Sequence, residues 1–324
     1  MTQQRILVCP LDWGLGHATR CIPLIYTFLK QGHQVFIAGS GPSYRLLCQE
    51  FPTLVAIDFL SFTLRYSSGT SQVGAVLKAF PRLVYRTLQE HKELKRIVRQ
   101  YAITQIVSDN RFGCYHPAVK SIYITHQLAI KFPSPFCFLE PLAAYCHRKL
   151  IRKYDECWIP DYESQTACLA GELSHQLPLP QNCKFIGPLS RFSMPQQPVQ
   201  TRSLTVAVVS GVEPQRTIFE QYLLDSLQVD ASQQVVLVQG LPQYAGREYW
   251  KGKVRVVASM PAAELCQLLL QAERIYCRSG YSSIMDMHAI GKLNVTTFVP
   301  TPGQPEQEYL AAYLRTKNFG EDIQ

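Results

Sequence analysis

Short runs of β-branched and other apolar residues alternate with longer amphipathic segments along most of the chain. Amphipathic patterns typical of helices separate most of these runs, and the longest covers residues 73–100. Strands that alternate with helices form βαβ units, so this part of the chain predicts a parallel sheet covered on both faces. Its predicted strands span residues 5–9, 34–38, 54–58, 104–108, 121–125, 157–160 and 184–186.

The alternation stops at residues 187–203, which are rich in Pro, Gln and Ser and show no periodicity, as is typical of a linker. It then resumes, with predicted strands at 205–209, 234–238, 253–257, 274–277 and 294–299 and predicted helices at 214–227, 261–272, 282–290 and 305–317. We therefore predict two α/β domains, residues 1–188 and 204–324, joined by a linker at 189–203. Ligands of open parallel sheets bind beyond the carboxyl ends of the strands, so we expect a site in a cleft between the domains.

Composition indicates a globular protein. The 324 residues are 47% hydrophobic and 17% charged, and no run approaches the ~18 apolar residues of a membrane-spanning helix. The N-terminal residues lack the layout of a signal peptide, which predicts a cytoplasmic location. The net charge of +8 favours anionic partners, but no basic repeat, aromatic RNP-like motif or zinc finger indicates nucleic acid. The eleven cysteines contain no CxxC pair, and we expect reduced core thiols, for example Cys9, Cys157, Cys266 and Cys277.

The first predicted strand runs into the sequence PLDWGLGHATR. Gly14 and Gly16 permit a tight turn, and a helix is predicted to begin near His17. The N–H groups and dipole of a helix N-terminus favour an anion, and a histidine there can bind a phosphate or accept a proton. An ordinary strand-to-helix turn with an exposed histidine fits the same spacing.

A second turn of this kind follows the predicted strand at residues 274–277, where the sequence reads RSGYSSIMD. Its hydroxyl and backbone N–H groups form a predicted cradle for a diphosphate, made by Arg278, Ser279, Gly280, Tyr281, Ser282 and Ser283. Asp286 lies one helical turn further on, where a carboxylate can accept two hydrogen bonds from a ribose diol. A serine helix cap followed by a solvated aspartate is the alternative interpretation.

Other polar groups stand at predicted strand ends. In the last third, Gln304, Glu306 and Gln307 carry amide and carboxylate groups suited to sugar hydroxyls. Ser210 and Gly211 end another predicted strand. Arg216 follows shortly after them and can either pair with a phosphate or remain a solvated surface residue.

The first domain has similar groups at two strand ends. Asp109, Asn110 and Arg111 follow one strand and His126 follows the next, at the edge where we expect a ligand. Asp109 is a candidate general base, although Asp-Asn is also a common turn sequence.

Several motifs are missing from the sequence. It has no GxxxxGK[ST] loop, no GxSxG elbow, no HExxH and no Asp-x-Asp pair for a divalent metal. We therefore expect no metal or other cofactor. Helix dipoles, hydroxyl groups and arginine would then stabilise the charge of a leaving diphosphate.

Three segments together, GLGHATR, RSGYSSIMD and PGQPEQEYLAAYL, resemble the MurG-like glycosyltransferases of family 28. They stand in the expected order, and the resemblance extends over nearly the whole chain. It implies the GT-B fold, an α/β fold with two Rossmann-like parallel-sheet domains facing each other across a cleft. MurG carries a longer glycine run in its first loop, whereas Asp12 and Trp13 precede a shorter one here, which indicates a relative of MurG.

The resemblance also implies roles for individual residues. Gly280, Ser282 and Ser283 would bind the donor diphosphate, Asp286 would hold the ribose, and the backbone around Val257 would recognise the base, uracil in such enzymes. Gln307, with Glu306 beside it, would recognise the sugar, and Ser210 and Gly211 match the first donor-domain loop. The resemblance places Gly14, Gly16 and His17 on the acceptor side. Their positions at strand ends add Asn110 and His126 to this group.

The function expected from the sequence is inverting, metal-independent transfer of a GlcNAc-like hexose from a UDP-sugar to a lipid-linked or polysaccharide acceptor of the cell envelope. Either His17 or Asp109 would be the base. A nucleotide-sugar hydrolase is an alternative, since GLGHATRC fits the GxGHxxRC pattern of such enzymes, and a non-catalytic nucleotide-sugar-binding subunit is another. The basic amphipathic segments at residues 73–100 and 143–153 predict peripheral contact with the inner face of the membrane, or else a solvated helix face.

Overall fold

The computed structural model describes residues 3–60, 73–133, 136–175, 178–197, 199–227 and 233–317, with the backbone alone for residues 73–80. Two compact units make up the chain. Among the described residues, the first unit contains 3–13, 17–60 and 73–189, and the second contains 14–16 and 190–317. Residue 198 of the predicted linker lies outside the described residues.

The first unit is built on a parallel sheet of seven strands. The strands are β1 (Arg5–Pro10), β2 (Gln34–Gly39), β3 (Val55–Asp58), β4 (Gln105–Asp109), β5 (Lys120–Ile124), β6 (Glu156–Ile159) and β7 (Cys183–Phe185). They lie in the order β3-β2-β1-β4-β5-β6-β7, and all neighbours pair in parallel. The helices of this unit are α1 (Gly16–Lys30), α2 (Gly41–Glu50), α3 (Val73–Gln100) and α4 (Glu140–Ile151).

The sheet of the first unit is covered on both faces, as its apolar runs predicted. Leu7 and Val8 are adjacent in β1 and therefore point to opposite faces, yet both are fully buried. On one face, Leu7 belongs to a core cluster that includes Leu94 and Ile97 of α3. The C-terminal part of α3, the longest helix predicted from the sequence, thus packs on this sheet, whereas Val84, Tyr85 and Leu88 are exposed.

The second unit contains a smaller sheet of six strands. The strands are β8 (Leu204–Val208), β9 (Gln234–Val238), β10 (Glu248–Lys251), β11 (Val254–Val257), β12 (Arg274–Arg278) and β13 (Thr296–Val299). Their order is β10-β11-β9-β8-β12-β13, parallel except for β10 against β11. The helices are α5 (Gln215–Ser226), α6 (Ala262–Gln271), α7 (Tyr281–Ala289) and α8 (Pro305–Thr316). Phe219 and Leu223 of α5 pack against β8, β9 and β11 in the core.

Two local features differ from the sequence prediction. The antiparallel edge strand β10 was not predicted, because all four of its residues are exposed and the stretch lacks an apolar alternation. The last strand begins at Thr296, later than predicted, because Leu293–Val295 form a short 3-10 turn.

The strand order defines where ligands can approach each unit. In the first sheet the direction of strand succession reverses between β1 and β4, and in the second it reverses between β8 and β12. Loops that leave two strands in opposite directions open a crevice at their carboxyl ends. The loop at residues 11–16 and the end of β4 lie at the first of these points, and the ends of β8 and β12 lie at the second. Among the described residues, no helix combines the length and apolar character needed to cross a membrane.

Candidate active site

A histidine and an aspartate meet at the switch point of the first unit. His17 lies in the first turn of α1, and its Nδ1 is 2.6 Å from Oδ1 of Asp109, the last residue of β4. The register of the sheet brings them together, since Pro10 at the end of β1 is the partner of Asp109. His17 keeps 16% of its side chain exposed, whereas Asp109 is fully buried. A partly exposed imidazole backed by a buried carboxylate is suited to take a proton from a ligand.

Arg20 completes this centre and was missed by the sequence prediction. It lies one turn after His17 on the same face of α1, is 2% exposed, and its Nε and Nη2 both donate to Asp109. Its Nη2 is also 2.8 Å from Nδ1 of His17, and its Nη1 is 3.2 Å from Nδ1 of His126. The i, i+3 spacing of His17 and Arg20 in GLGHATR was the available signal, because residues at this spacing share a helix face.

The charges of this centre act on the carboxyl group of Asp109. Burial acts to raise the pKa of its carboxyl, but the positive charge of Arg20 and then the contact with His17 hold that pKa below its ordinary value. A carboxylate stabilised in this way is a poor proton acceptor. The contact with His17 and Arg20 keeps Asp109 ionised, and its predicted role as general base stays a prediction.

The remaining residues predicted in the N-terminal part of the chain differ in their surroundings. Gly14 has φ +94°, a left-handed conformation that favours glycine, and Asn110 has φ +53°, which asparagine tolerates. His126 is buried against Arg20. Arg111 is fully buried and pairs with Glu90 at 3.1 Å, so its charge stabilises the interior of the unit.

The second unit has an open position at the N-terminus of α7. Gly280 precedes this helix with φ −70° and ψ 139°, which any residue can adopt. A Cβ added to Gly280 would meet nothing within 4 Å, so neither backbone conformation nor packing requires glycine there. Ser282 and Ser283 follow in the first turn, both half-buried. A Cβ at position 280 would therefore enter open space, whereas the hydroxyl of Ser282 already donates to the carbonyl oxygen of Gly16 at 2.8 Å.

Arg278 supplies a buried positive charge next to this turn. Its side chain is 4% exposed, its Nη1 donates to the carbonyl oxygen of Pro300 at 2.7 Å, and its Nη2 donates to that of Gln215 at 3.2 Å. Its Nε has no hydrogen-bond partner, and no carboxylate pairs with it, among the described residues. Burial lowers the pKa of Arg278 to about 10, so the guanidinium remains charged at neutral pH. A cation buried without a described counter-charge favours an anionic ligand nearby.

Other residues predicted in the nucleotide site lie in the interior of the unit or bond to its backbone. Tyr281 is 2% exposed and lies in the core. Ser279 is fully buried and donates to the backbone carbonyl of Gln307 at 2.8 Å. The carbonyl oxygen of Val257 accepts the N–H of Gln239 at 2.8 Å within the sheet, and recognition of a base by the backbone around Val257 stays a prediction.

Arg216 lies beside two glutamates. Its Nε donates to Glu213 at 2.6 Å and its Nη1 to Glu220 at 2.8 Å. Two carboxylates therefore neutralise its charge, and the guanidinium holds the start of α5. A phosphate there would be repelled by both glutamates, and the predicted pairing of Arg216 with a phosphate stays a prediction.

Asp286 accepts hydrogen bonds from the beginning of the predicted linker. The hydroxyl of Ser190 lies 2.7 Å from one carboxylate oxygen, and Nε of Arg191 lies 3.3 Å from the other. Burial raises the pKa of Asp286, and the charge of Arg191 partly opposes that shift. Contact with a ribose, as predicted from the sequence, would require at least one of these partners to move.

The residues predicted to recognise the sugar lie around the start of α8. Gln304 precedes the helix, Glu306 is in its first turn, and both are partly exposed. Gln307 is buried, and its side-chain oxygen accepts the N–H of Thr301 at 2.9 Å, which fixes the preceding loop. At the end of β8, Ser210 is partly exposed, and the exposed Gly211 has φ +118°.

One group of side chains in the first unit has metal-like spacing. The ligand atoms of Asp161, Cys168 and His175 lie within 4.8 Å of one another. However, the carboxylate of Asp161 already accepts four hydrogen bonds, from the N–H groups of Tyr162, Leu169 and Ala170 and the hydroxyl of Ser174. These bonds satisfy the buried carboxylate of Asp161, which thereby holds its own loop in place.

All eleven cysteines have free thiols. Cys9, Cys157, Cys266 and Cys277 are buried, as expected, whereas Cys137 and Cys146 are exposed.

No family model and no curated protein sequence matches the chain. Solved structures of glycosyltransferases do match it over nearly its whole length. The glycotransferase of kitacinnamycin matches over 100% of this chain and 87% of its own, with a TM-score of 0.62 and 15% identity. The spinosyn rhamnosyltransferase SpnG matches over 97% of this chain and 84% of its own (TM-score 0.59, 13% identity), and SnogD from Streptomyces nogalater over 96% and 85% (0.52, 14%).

The fold is that of these glycosyltransferases. The α/β GT-B fold class expected from the sequence is thereby confirmed. Membership of the MurG-like family stays a prediction, because identities of this size establish a common fold and no closer relationship.

Proposed function

We propose that the protein is a glycosyltransferase that moves a sugar from a nucleotide-activated donor to an acceptor hydroxyl. The observation that carries this proposal is the pair of His17 and Asp109 at a strand switch point, 2.6 Å apart, in a chain with a glycosyltransferase fold. The carboxylate orients the imidazole and stabilises its protonated form, which a general base requires.

The donor in this proposal is a nucleoside diphosphate sugar bound at the N-terminus of α7. Support comes from the open space at Gly280, the first-turn residues Ser282 and Ser283, and the buried charge of Arg278. A structural neighbour, SpnG, is solved in complex with thymidine diphosphate. We propose uridine diphosphate as the nucleotide, with a GlcNAc-like sugar, on the resemblance of RSGYSSIMD to family 28.

The proposed reaction inverts the anomeric centre. The acceptor hydroxyl gives its proton to His17 while its oxygen forms a bond to the anomeric carbon from the face opposite the diphosphate. The bond between that carbon and the diphosphate oxygen breaks, and the nucleotide leaves with the electron pair. We propose that the dipole of α7 and Arg278 stabilise the departing charge in place of a divalent metal, since the sequence lacks an Asp-x-Asp pair.

The acceptor in this proposal is a lipid-linked or polysaccharide hydroxyl at the inner face of the membrane. The support is an exposed surface formed by the short helix Phe136–Leu139 and α4, where Phe138, Leu142 and Tyr145 are 72%, 60% and 50% exposed. Lys149 lies over the ring of Tyr145, and Arg152 is exposed nearby. Apolar side chains flanked by cations suit an anionic lipid surface. Co-sedimentation with anionic but not with neutral vesicles at low salt is the expected result. A protein that does not co-sediment with anionic vesicles would exclude this membrane contact.

The activity itself is tested by product analysis. The wild-type protein and His17→Gln would be incubated with UDP-GlcNAc, UDP-glucose and dTDP-glucose, with and without a panel of lipid-linked and saccharide acceptors, and products read by mass spectrometry. We expect a glycosylated acceptor with one donor and a rate loss of roughly 10²-fold or more in the variant. Gln replacing the partly exposed His33 serves as the control. Free sugar without an acceptor would indicate a hydrolase, and nucleotide binding without turnover a binding subunit.

A further inference from the structure

Two cysteines, Cys157 and Cys183, stand opposite each other on the last two strands of the first sheet. The strands β6 and β7 are parallel neighbours, and their register makes Cys157 the direct partner of Cys183. Both side chains belong to the same apolar cluster on one face of the sheet. Neighbouring strands lie about 4.8 Å apart, which is within the range of Cα separations that a disulfide bridges. The register thus brings the two thiols within reach of a disulfide.

The backbone at this pair is held in place by Asn182. Its carbonyl oxygen accepts the N–H of Cys157 at 2.7 Å. Its side-chain nitrogen donates to the carbonyl oxygens of Ile151 and Tyr154 at 3.0 and 2.9 Å. These bonds hold residue 182, and with it the start of β7, against β6 and the end of α4. The register that pairs the two cysteines is therefore fixed in the folded chain.

The two thiols differ in access and in acidity. Cys157 is fully buried, whereas Cys183 lies on the edge strand of the sheet and is partly exposed. A hydrogen bond from the thiol of Cys157 lowers the pKa of Cys183, and the same bond, together with burial, raises the pKa of Cys157. Because the thiolate is the reactive form of cysteine, Cys183 should react first with a soluble reagent and Cys157 second.

Another pair of neighbouring thiols lacks this access. Cys9 of β1 and Cys114 are both fully buried in one core cluster of the first unit. Burial raises the pKa of Cys114 well above its ordinary value, and a hydrogen bond with the thiol of Cys9 raises it further. While the chain is folded, a reagent in solution therefore meets Cys183 and not this second pair.

We propose that Cys157 and Cys183 form a reversible disulfide by exchange with a low-molecular-weight disulfide such as oxidised glutathione. The thiolate of Cys183 attacks one sulfur of the reagent, the S–S bond of the reagent breaks, and one glutathione leaves as a thiolate with the electron pair. The sulfur of Cys157 then gives up its proton and attacks the sulfur of Cys183, and the second glutathione leaves. The two departing thiolates take up the two protons that the cysteines lose.

This exchange oxidises two protein thiols and reduces one reagent disulfide to two thiols. The new bond would fasten the edge strand β7 to β6, at the last strand of the first unit before the chain continues into the second. Cytosolic disulfides are mostly transient and redox-sensing, which agrees with a partly exposed pair that a reductant can reopen. The modification is independent of the proposed sugar transfer.

The test is incubation of the folded wild type with oxidised glutathione, followed by denaturation, alkylation of the remaining thiols and peptide mapping without reduction. We expect a peptide that links Cys157 to Cys183 and that a phosphine reductant returns to two free thiols. Cys183 should react on the order of tenfold faster than Cys9 or Cys114. Reduced Cys9 and Cys114 at the end of the incubation would show that the chain stayed folded.

Cys157→Ser separates the two steps of the exchange. It keeps a hydroxyl that can donate to Cys183 but cannot form a disulfide, so Cys183 should accumulate as the mixed disulfide with glutathione. Cys183→Ser should leave Cys157 reduced. Cys146→Ser is the matched control, because Cys146 is exposed and lies on α4, outside the pair, and this variant should form the bond as the wild type does.

Two results with the wild type would overturn the proposal. In one, the exposed Cys137 and Cys146 carry glutathione while Cys183 stays reduced. In the other, Cys183 stops at the mixed disulfide and Cys157 stays reduced. Both results come from the unaltered protein, so the proposal can be refuted even if a variant fails to fold.

Discussion

Nδ1 of His17 lies 2.6 Å from Oδ1 of Asp109, although 92 positions separate the two residues in the chain. The contact exists because β1 and β4 are neighbours in the sheet, so that the turn after one strand meets the end of the other. Arg20 closes the group from the next turn of α1. A carboxylate bound by a guanidinium and an imidazole is stable as an anion, and this anion fixes the imidazole.

Replacing Asp109 with Asn should affect both stability and activity. The guanidinium of Arg20 would be buried beside a neutral amide, and breaking a buried ion pair in this way costs about 3–5 kcal/mol. Transfer should fall by roughly 10²–10⁴-fold, because the amide cannot stabilise protonated His17. Urea unfolding and initial rates on the folded fraction measure the two effects. Gln replacing Arg255, whose pair with Glu248 is solvent-exposed, should change neither.

Gly280→Ala should separate ligand binding from folding. The added Cβ meets no atom within 4 Å and the backbone is already in an ordinary conformation, so the melting temperature should stay within about 1–2 °C. A diphosphate at the N-terminus of α7 would lose its space, and nucleotide affinity should fall at least about tenfold. Calorimetric titration with UDP, dTDP and GDP measures this, and equal affinity in the variant would place the nucleotide elsewhere.

Asp286→Asn tests whether this carboxylate meets a ribose or serves only as an anchor for Ser190 and Arg191. If the ribose displaces one of these partners, nucleotide affinity should fall about tenfold or more in Asp286→Asn. Ser190→Ala should keep or strengthen binding, because it releases one carboxylate oxygen. Calorimetry on both variants, with thermal melts beside it, is the measurement. A loss of stability in Asp286→Asn with unchanged affinity would assign the residue to the linker alone.

The buried His147 should make the protein less stable in acid. Its pKa in the folded chain is about 4, below the ~6.5 of an unfolded histidine, so the unfolded chain takes up a proton first. The stability present above about pH 6.5 is therefore lost progressively as the pH falls to about 4, by up to about 3 kcal/mol. In His147→Phe this dependence of the stability on pH should vanish, whereas His33→Gln should retain it. Urea midpoints between pH 7 and 4 are the readout, and identical slopes in all three proteins would refute it.

The sequence alone determined the fold class and the position of most elements. Apolar alternation records which residues are buried locally, so the strands, the long helix α3 and the linker-like segment could be predicted from period and composition. The failure at β10 has the same cause, since an exposed edge strand leaves no apolar signal. The two glycine turns were also recognisable, because a strand that ends in small residues before a helix has a local signature.

Only the tertiary structure decided which polar groups act together. The sequence shows that Arg20 shares a helix face with His17, but only the pairing of β1 with β4 brings Asp109 to both of them. The physical reason is that a hydrogen bond or ion pair forms only when the distance between its two atoms is right to within a few tenths of an ångström, and here the two atoms belong to residues far apart in the chain. Strand order and register fix those distances, and local periodicity does not contain them.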